Sequence, residues 1–242
     1  MSNTITIDGQ DIPFEEGQTI MEAAMAAGIY IPHLCYHPEF VPHGSCRLCT
    51  VVVDGRNGSA CDMKAAAGQT IENNTKELND RRLALTQMLF VEGNHVCPAC
   101  EKSGHCQLQA VAYYLGMLSP RFPHFYPYRE VDSSHPDVMI DFNRCILCEL
   151  CVRASHDVDK KNVFAIQGRG IKAHLVINAE TGKLGDSSFD KEDKAAQVCP
   201  VGAILPKHQG YEVPIGERYY DRFPIDVVGD SAEPHAGAKS HD

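Results

Sequence analysis

The chain has 242 residues, eleven cysteines, no tryptophan and a formal net charge of −10. That length admits one or two ordinary domains, or several small modules stapled by metal. The acidic balance excludes nucleic acid or an anionic membrane held through bulk charge, and no apolar run is long enough to span a bilayer.

Residues 4–14 alternate, with Ile5, Ile7, Ile12 and Phe14 apolar and Asp8-Gly9 between them, which predicts a β-hairpin. Thr19 is placed to cap a helix from Ile20 to Ala27, with Glu22 completing a capping box and Gly28 ending it. Four cysteines follow: Cys35, Cys46, Cys49 and Cys61. Gly44-Ser45 precede the close pair, so the backbone can fold tightly there and aim N–H groups at sulfur. A strand is expected at 50–53. Four thiolates suit a [2Fe–2S] cluster or a zinc ion; the β-grasp-like order before them favours iron.

Another strand is expected at 69–72. Asn74 with Glu77 predicts a helix start, and Leu78, Leu85 and Leu89, with Arg81 and Arg82 opposite, carry the helix to Glu92. Then come His95, Cys97, Cys100 and Cys106, one imidazole and three thiolates. This set could hold a [4Fe–4S] cluster or a Cys3His zinc, and spacing does not separate the two. His105 is the rival imidazole; the other ten histidines show no ligand pattern and are read as surface or loop residues. A short helix is expected around Leu108, Val111, Ala112 and Leu115. Residues 119–137, rich in Pro and aromatics, read as an extended connector lying against another part of the protein.

A strand at 138–142 leads into Cys145-Ile146-Leu147-Cys148-Glu149-Leu150-Cys151, with Cys199-Pro200 far downstream. Three thiolates at that spacing and a remote Cys-Pro are the bacterial ferredoxin signature for [4Fe–4S]. Strands are expected at 163–166 and 174–177 and a helix at 193–198. Gly168-Arg169-Gly170 is half a dinucleotide fingerprint, without the third glycine or the helix, and carries little weight. Residues 229–242 read as a disordered tail.

The three sets use all eleven cysteines. The N-terminus lacks the charged and apolar segments of a signal peptide, so a cytoplasmic location and metal or redox use of the cysteines are expected. No P-loop, complete Rossmann fingerprint, nucleophile elbow or flavin motif is present, so redox centres are expected without a catalytic site.

Three blocks carry a family resemblance: Cys35 with Gly44-Ser45-Cys46-Arg47-Leu48-Cys49 and Cys61; Asn94-His95-Val96-Cys97-Pro98-Ala99-Cys100 with Gly104-His105-Cys106-Gln107-Leu108-Gln109; and Cys145 to Cys151 with Cys199-Pro200-Val201-Gly202-Ala203-Ile204. Together they resemble the N-terminal iron–sulfur region of the large complex I subunit, of [FeFe]-hydrogenases and of NAD-linked formate dehydrogenases. The likeness is greatest to the ferredoxin-like diaphorase subunits of soluble NAD-reducing [NiFe]-hydrogenases, and it covers nearly the whole chain.

The resemblance implies an α+β chain. A [2Fe–2S] ferredoxin-like β-grasp domain (1–74) would be followed by a small helical His/Cys3 [4Fe–4S] module with its connector (75–137), a ferredoxin-like [4Fe–4S] domain (138–228) and the tail. It implies one [2Fe–2S] cluster on Cys35, Cys46, Cys49 and Cys61, and two [4Fe–4S] clusters, on His95, Cys97, Cys100 and Cys106 and on Cys145, Cys148, Cys151 and Cys199. The implied partners are a flavin-bearing NAD-reducing diaphorase subunit and a [NiFe]-hydrogenase small subunit, with no nucleic acid or membrane. The implied function is electron transfer between them. The alternatives are the equivalent formate dehydrogenase subunit or a free multi-cluster carrier. One departure stands out: the wider family has its histidine ligand where Gly93 lies here, and His95 is closer to Cys97.

Overall fold

The computed structural model describes residues 3–211 and 213–230. Strands β1 (Thr4–Ile7), β2 (Gln10–Pro13), β3 (Thr50–Val53), β4 (Arg56–Ser59) and β5 (Thr70–Glu72) form one sheet in the order β2-β1-β5-β3-β4. β1 and β5 are parallel and the other pairs antiparallel. Asp8 and Gly9 turn the first hairpin with φ of 49° and 83°, the left-handed pair that suits the twist of the strands. Helix α1 (Ile20–Ala26) starts on the expected capping box: the Glu22 N–H donates to Thr19 Oγ1 at 3.2 Å and the Thr19 N–H to Glu22 Oε2 at 2.6 Å. Its Ile20, Met21, Ala23 and Ala24 pack on Ile5, Ile7, Ile12, Val51 and Ile71. Each large side chain so buried contributes about 1.5–3 kcal/mol.

Helix α2 (Lys76–Glu92) is capped one residue later than expected, by Thr75, whose Oγ1 accepts from the Leu78 N–H at 3.2 Å. The placement of Arg82 on an outer face is wrong. Its side chain is 1% exposed, and Leu78, Arg82 and Thr86 form one inward row at helical spacing. The Arg82 guanidinium donates to Leu48 O (3.0 Å), Thr50 O (2.9 Å), Asn73 O (2.8 Å) and Asn73 Oδ1 (2.8 Å). Carbonyls at the start of β3 and in the loops beside it thus take the place of a hydrophobic contact.

Helix α3 (Gln107–Tyr114) follows the second cysteine set. The connector runs back along α2: the Phe125 N–H donates to Val91 O at 3.0 Å and Gln87 Nε2 to Ser119 O at 3.3 Å. Then come β6 (Val131–Asp132), β7 (Val138–Asp141), α4 (Leu150–Arg153), β8 (Phe164–Gln167), β9 (His174–Ile177), α5 (Lys194–Gln197), β10 (Ile204–Pro206), α6 (Tyr219–Arg222) and α7 (Ile225–Val228). A small sheet has the order β10-β7-β6, and β8 with β9 form a separate hairpin. The glycines at 168 and 170 belong to the turn of that hairpin. Gly168 has φ +83°, and a Cβ on it would lie 2.3 Å from Lys172 O, which accounts for the glycine there without a nucleotide.

Two apolar cores lie under the first sheet and under the β7–β9 region. A third joins residues from all three parts: Leu34 and Leu48, then Leu108 and Val111, then Val201 and Ala203, closed by Tyr220 and Ile225. Two of the histidines read as surface or loop residues lie in loops and are buried. The His33 ring contacts Ile31 O and Asp230, and His135 Nδ1 accepts from the Asp137 and Val138 N–H groups. The expected tail therefore begins with packed residues at Gly229 and Asp230; residues 231–242 lie outside the described ones.

Candidate iron–sulfur centres

Cys35, Cys46 and Cys49 of the first set lie in the loop leading into β3, and Cys61 follows β4. Cys35, Cys49 and Cys61 are buried and Cys46 half-buried. They meet as two pairs: the Cys46 N–H donates to Cys35 Sγ at 3.5 Å, and the Cys49 and Cys61 sulfurs are 3.3 Å apart. Arg47 between the close cysteines has φ 59°, which turns the loop so that the Leu48 N–H faces the Cys46 sulfur. Within each pair one thiol is held down and the other up. The hydrogen bond from Cys46 pushes Cys35 down to about 5 while Cys46 rises, and Cys61 falls while Cys49 rises. Two pairs of thiolates are what a two-iron cluster would take, two to each iron.

The second set surrounds one cavity. His95, Cys97, Cys100 and Cys106 line it together with Arg144 and Gly202. The His95 ring reaches this cavity because its loop is held by a paired asparagine. The Asn94 N–H donates to Asn143 O at 2.9 Å, Asn94 Nδ2 to Asn143 Oδ1 at 3.1 Å and to Pro127 O at 2.6 Å. Asn143 Nδ2 is itself fixed on Asp141 Oδ1 (2.9 Å) and Arg129 O (2.8 Å). His95 Nε2 is buried and has no hydrogen-bond partner. Burial, with Arg144 nearby, pushes this imidazole down to about 4, so its ring is neutral at physiological pH. A neutral imidazole that lines one cavity with three thiols has the chemistry of a metal ligand. His105 is half-buried and lines a different cavity.

The third set also surrounds one cavity, lined by Cys145, Cys148, Cys151 and Cys199. Leu147 and Glu149 take φ of 54° and 60°, so the chain coils around the sulfurs. The N–H groups of Leu147, Leu150 and Val152 face Cys145, Cys148 and Cys151 in turn. Burial pushes the Cys145 thiol up to about 11 and the Cys148 and Cys151 thiols further. Their deprotonation is therefore coupled to binding a cation. Among the described residues no three His, Cys, Asp or Glu side chains are grouped tightly enough for a single metal ion.

The third set lies between the other two. Val201 and Ala203 line its cavity, while the intervening Gly202 lines that of the second set. A Cβ on Gly202 would lie 2.6 Å from Cys100 Sγ, so one bare stretch of backbone separates the two cavities. On the other side, Arg153 Nη2 donates to Cys35 O at 2.5 Å and to Cys148 O at 3.4 Å, tying the first loop to the third. Sequence reasoning does not single out Asn143, Arg144, Arg153 or Gly202. Their only signal is adjacency: three stand within two residues of an expected ligand and Gly202 follows Cys199 by three.

Comparison with known proteins finds three iron–sulfur regions in the same order along the chain. Residues 2–76 match a 2Fe-2S iron–sulfur cluster binding domain, 82–121 the NADH-ubiquinone oxidoreductase-G iron–sulfur binding region and 138–205 a 4Fe-4S single cluster domain. The gamma subunit of the NAD-reducing hydrogenase HoxS of Cupriavidus necator is 43% identical over 222 residues, covering 91% of this chain and 94% of that protein. A crystal structure of an NAD+-reducing [NiFe]-hydrogenase in the H2-reduced state superposes with a TM-score of 0.92 at 49% identity, covering 96% of this chain and 99% of that one. The mitochondrial NADH-ubiquinone oxidoreductase 78 kDa subunit of Candida albicans is 31% identical over 207 residues, 84% of this chain but 28% of that protein. The match thus spans little more than a quarter of that longer relative.

Proposed function

The chain belongs to the family of gamma subunits of NAD-reducing hydrogenases, and on that premise we propose that it is the electron conduit of such an enzyme. It would join a [NiFe]-hydrogenase small subunit, where H2 gives up two electrons and two protons, to a flavin subunit, where NAD+ takes up two electrons and a proton. When bound, the clusters supply the one-electron chemistry. The residues proposed to hold them are Cys35, Cys46, Cys49 and Cys61 for one [2Fe–2S] cluster, and His95, Cys97, Cys100 and Cys106, then Cys145, Cys148, Cys151 and Cys199, for two [4Fe–4S] clusters. We read the first unit as a β-grasp domain ending near 74, the second as a helical module to 137 and the third as a ferredoxin-like domain to 228.

The observation that carries this reading is the continuity of the three sets. The third core packs Leu34, Leu48, Val201 and Ala203 against half-buried Cys46, Cys145 and Cys199. Apolar side chains and a single glycine backbone separate one set from the next. The chain's own residues fix the ligand sulfurs, aim N–H groups at them and exclude solvent, which together set the potentials. No described helix is long and apolar enough to cross a membrane. Eleven cysteines without a disulfide suit the reducing cytoplasm.

Iron and acid-labile sulfide should each approach roughly ten per chain, from two, four and four by cluster type. Metal analysis of the anaerobically purified protein checks this; near-equimolar zinc with little iron would refute the reading. The chain without its partners is expected neither to oxidise H2 nor to reduce NAD+.

We place the hydrogenase-facing surface on the connector. Val96, Leu118, Phe125, Tyr126 and Tyr128 are exposed beside the second set. Residues 103–129 hold no Asp or Glu in a chain of net charge −10, but do hold Arg121 and Arg129. A partner with an apolar, acidic face fits this surface. Tyr128→Asp should weaken binding of the hydrogenase module about tenfold or more, since buried aromatic anchors carry much of an interface's energy. Binding of the flavin subunit and iron content should stay as they are. Pull-down titrations with each partner separate the cases; equal loss of both, or loss of neither, would move the surface elsewhere.

A further inference from the structure

Arg144 precedes Cys145 of the third set, yet its guanidinium lies in the second. Nη1 is 3.5 Å from Cys100 Sγ, 2.9 Å from Glu101 Oε2 and 3.4 Å from Gly202 O, and Nε is 2.9 Å from Asp141 Oδ2. The side chain is 16% exposed and borders the cavity that His95 and the three cysteines enclose. Its partners are Cys100 itself and residues within four positions of a candidate ligand. Glu101 follows Cys100, Asp141 heads the turn into Cys145, and Gly202 separates the second cavity from the third.

We propose that Arg144 is a positioning residue that raises the reduction potential of the second centre and holds that centre in register with the third. The inference rests on the cluster assignment made above for His95, Cys97, Cys100 and Cys106. Adding an electron there adds negative charge beside Cys100. A fixed cation donating toward that sulfur favours the reduced form, and hydrogen bonds to ligand sulfur act in the same direction. The carboxylates of Glu101 and Asp141 partly offset the charge. They also pin the guanidinium from two sides, so it does not reorient when the electron arrives or leaves. Lysine could keep the charge but not this planar fork.

The test is an EPR-monitored redox titration of the cluster-loaded full chain, with iron counted in every variant. Arg144→Gln should lower the midpoint potential of the second centre more than that of either other centre. Glu101→Gln should raise it, because it removes the opposing charge while keeping a hydrogen-bonding side chain. A merely structural clamp predicts no such opposition of sign. If Arg144→Gln fails to load the second centre, Arg144→Lys is titrated in its place and should also lower that potential, because an ammonium cannot keep the donation to Cys100 Sγ together with both carboxylate contacts. Shifts of the same sign, or a second-centre signal that Glu101→Gln does not raise, would overturn the role given to Arg144 alone. Absence of any second-centre signal in the unsubstituted, iron-replete chain would overturn the cluster assignment and the inference with it.

Discussion

Replacing Arg82 by alanine is expected to be the most destabilising change outside the candidate ligands. It removes a buried guanidinium that reaches the two carbonyls flanking Cys49, Leu48 O and Thr50 O, and both oxygens of Asn73. Each buried acceptor left unpaired costs about 1–3 kcal/mol, and loss of one member of a buried polar network costs about 3–5 kcal/mol in all. The loss also falls on function, because the segment 48–50 carries one of the four sulfurs of the first set. We therefore expect Arg82→Ala to lose the [2Fe–2S] signal at a guanidinium concentration well below that of the unsubstituted protein. The ferredoxin-like signal of the third set should follow only later. Arg82→Lys should fare little better, since one ammonium cannot span carbonyls on both sides of Cys49. An unchanged midpoint for the [2Fe–2S] signal in Arg82→Ala would show that the clamp is dispensable.

Arg82 also shows where reading the sequence runs out. Hydrophobic periodicity assigns side chains to a helix face by polarity. It therefore places Leu85 and Leu89 rightly, half-buried against the third core, and turns Arg82 to solvent. The burial of Arg82 is dictated by carbonyls 34 and 32 residues away in sequence, at the entry to β3, and no local pattern encodes them. The same holds for Asn143 and Asn94. Each is an ordinary asparagine in the sequence, and only the fold brings them into the pair that sets the His95 loop. Thiolate chemistry is legible because a cluster forces cysteines into short, regular spacings; the residues that tune it are not, because they answer to geometry and not to spacing. Strands β4, β6 and β10 escape for a related reason. Arg56-Asn57-Gly58-Ser59 carries no apolar residue to alternate, β6 has two residues, and β10 ends on a proline and among the described strands pairs only with β7. Thr19 with Glu22, by contrast, is readable in full, since a capping box is a contact between residues three apart.

The second large effect is expected from a single methyl group. A Cβ added to Gly93 would lie 2.6 Å from His95 Nε2, 2.8 Å from His95 Cδ2 and 2.9 Å from Asn143 O. The imidazole therefore occupies the space a side chain at 93 would need. In the wider family that position supplies the histidine ligand; here the glycine clears room for His95 to reach the same cavity from two residues further on. The backbone does not require glycine, because Gly93 has φ −115°. Gly93→Ala should leave helix α2 intact and act by pushing the ring away and by crowding Asn143 O, which anchors the His95 loop. A buried, unpartnered imidazole nitrogen costs about 1–3 kcal/mol in the cluster-free chain, a cost that ligation would recover. Both Gly93→Ala and His95→Ala are thus expected to lose about four of roughly ten irons, with the [2Fe–2S] and remaining [4Fe–4S] signals kept. His105→Ala should keep the full complement. His95→Cys should retain the second cluster at a lower potential, because a thiolate adds the negative charge that imidazole lacks, as the higher potentials of histidine-ligated Rieske centres illustrate in reverse. Iron analysis with EPR on these four variants is decisive. Full iron in His95→Ala together with its loss in His105→Ala would transfer the ligand role to His105, whereas full iron in Gly93→Ala would show that the ring has another way into the site.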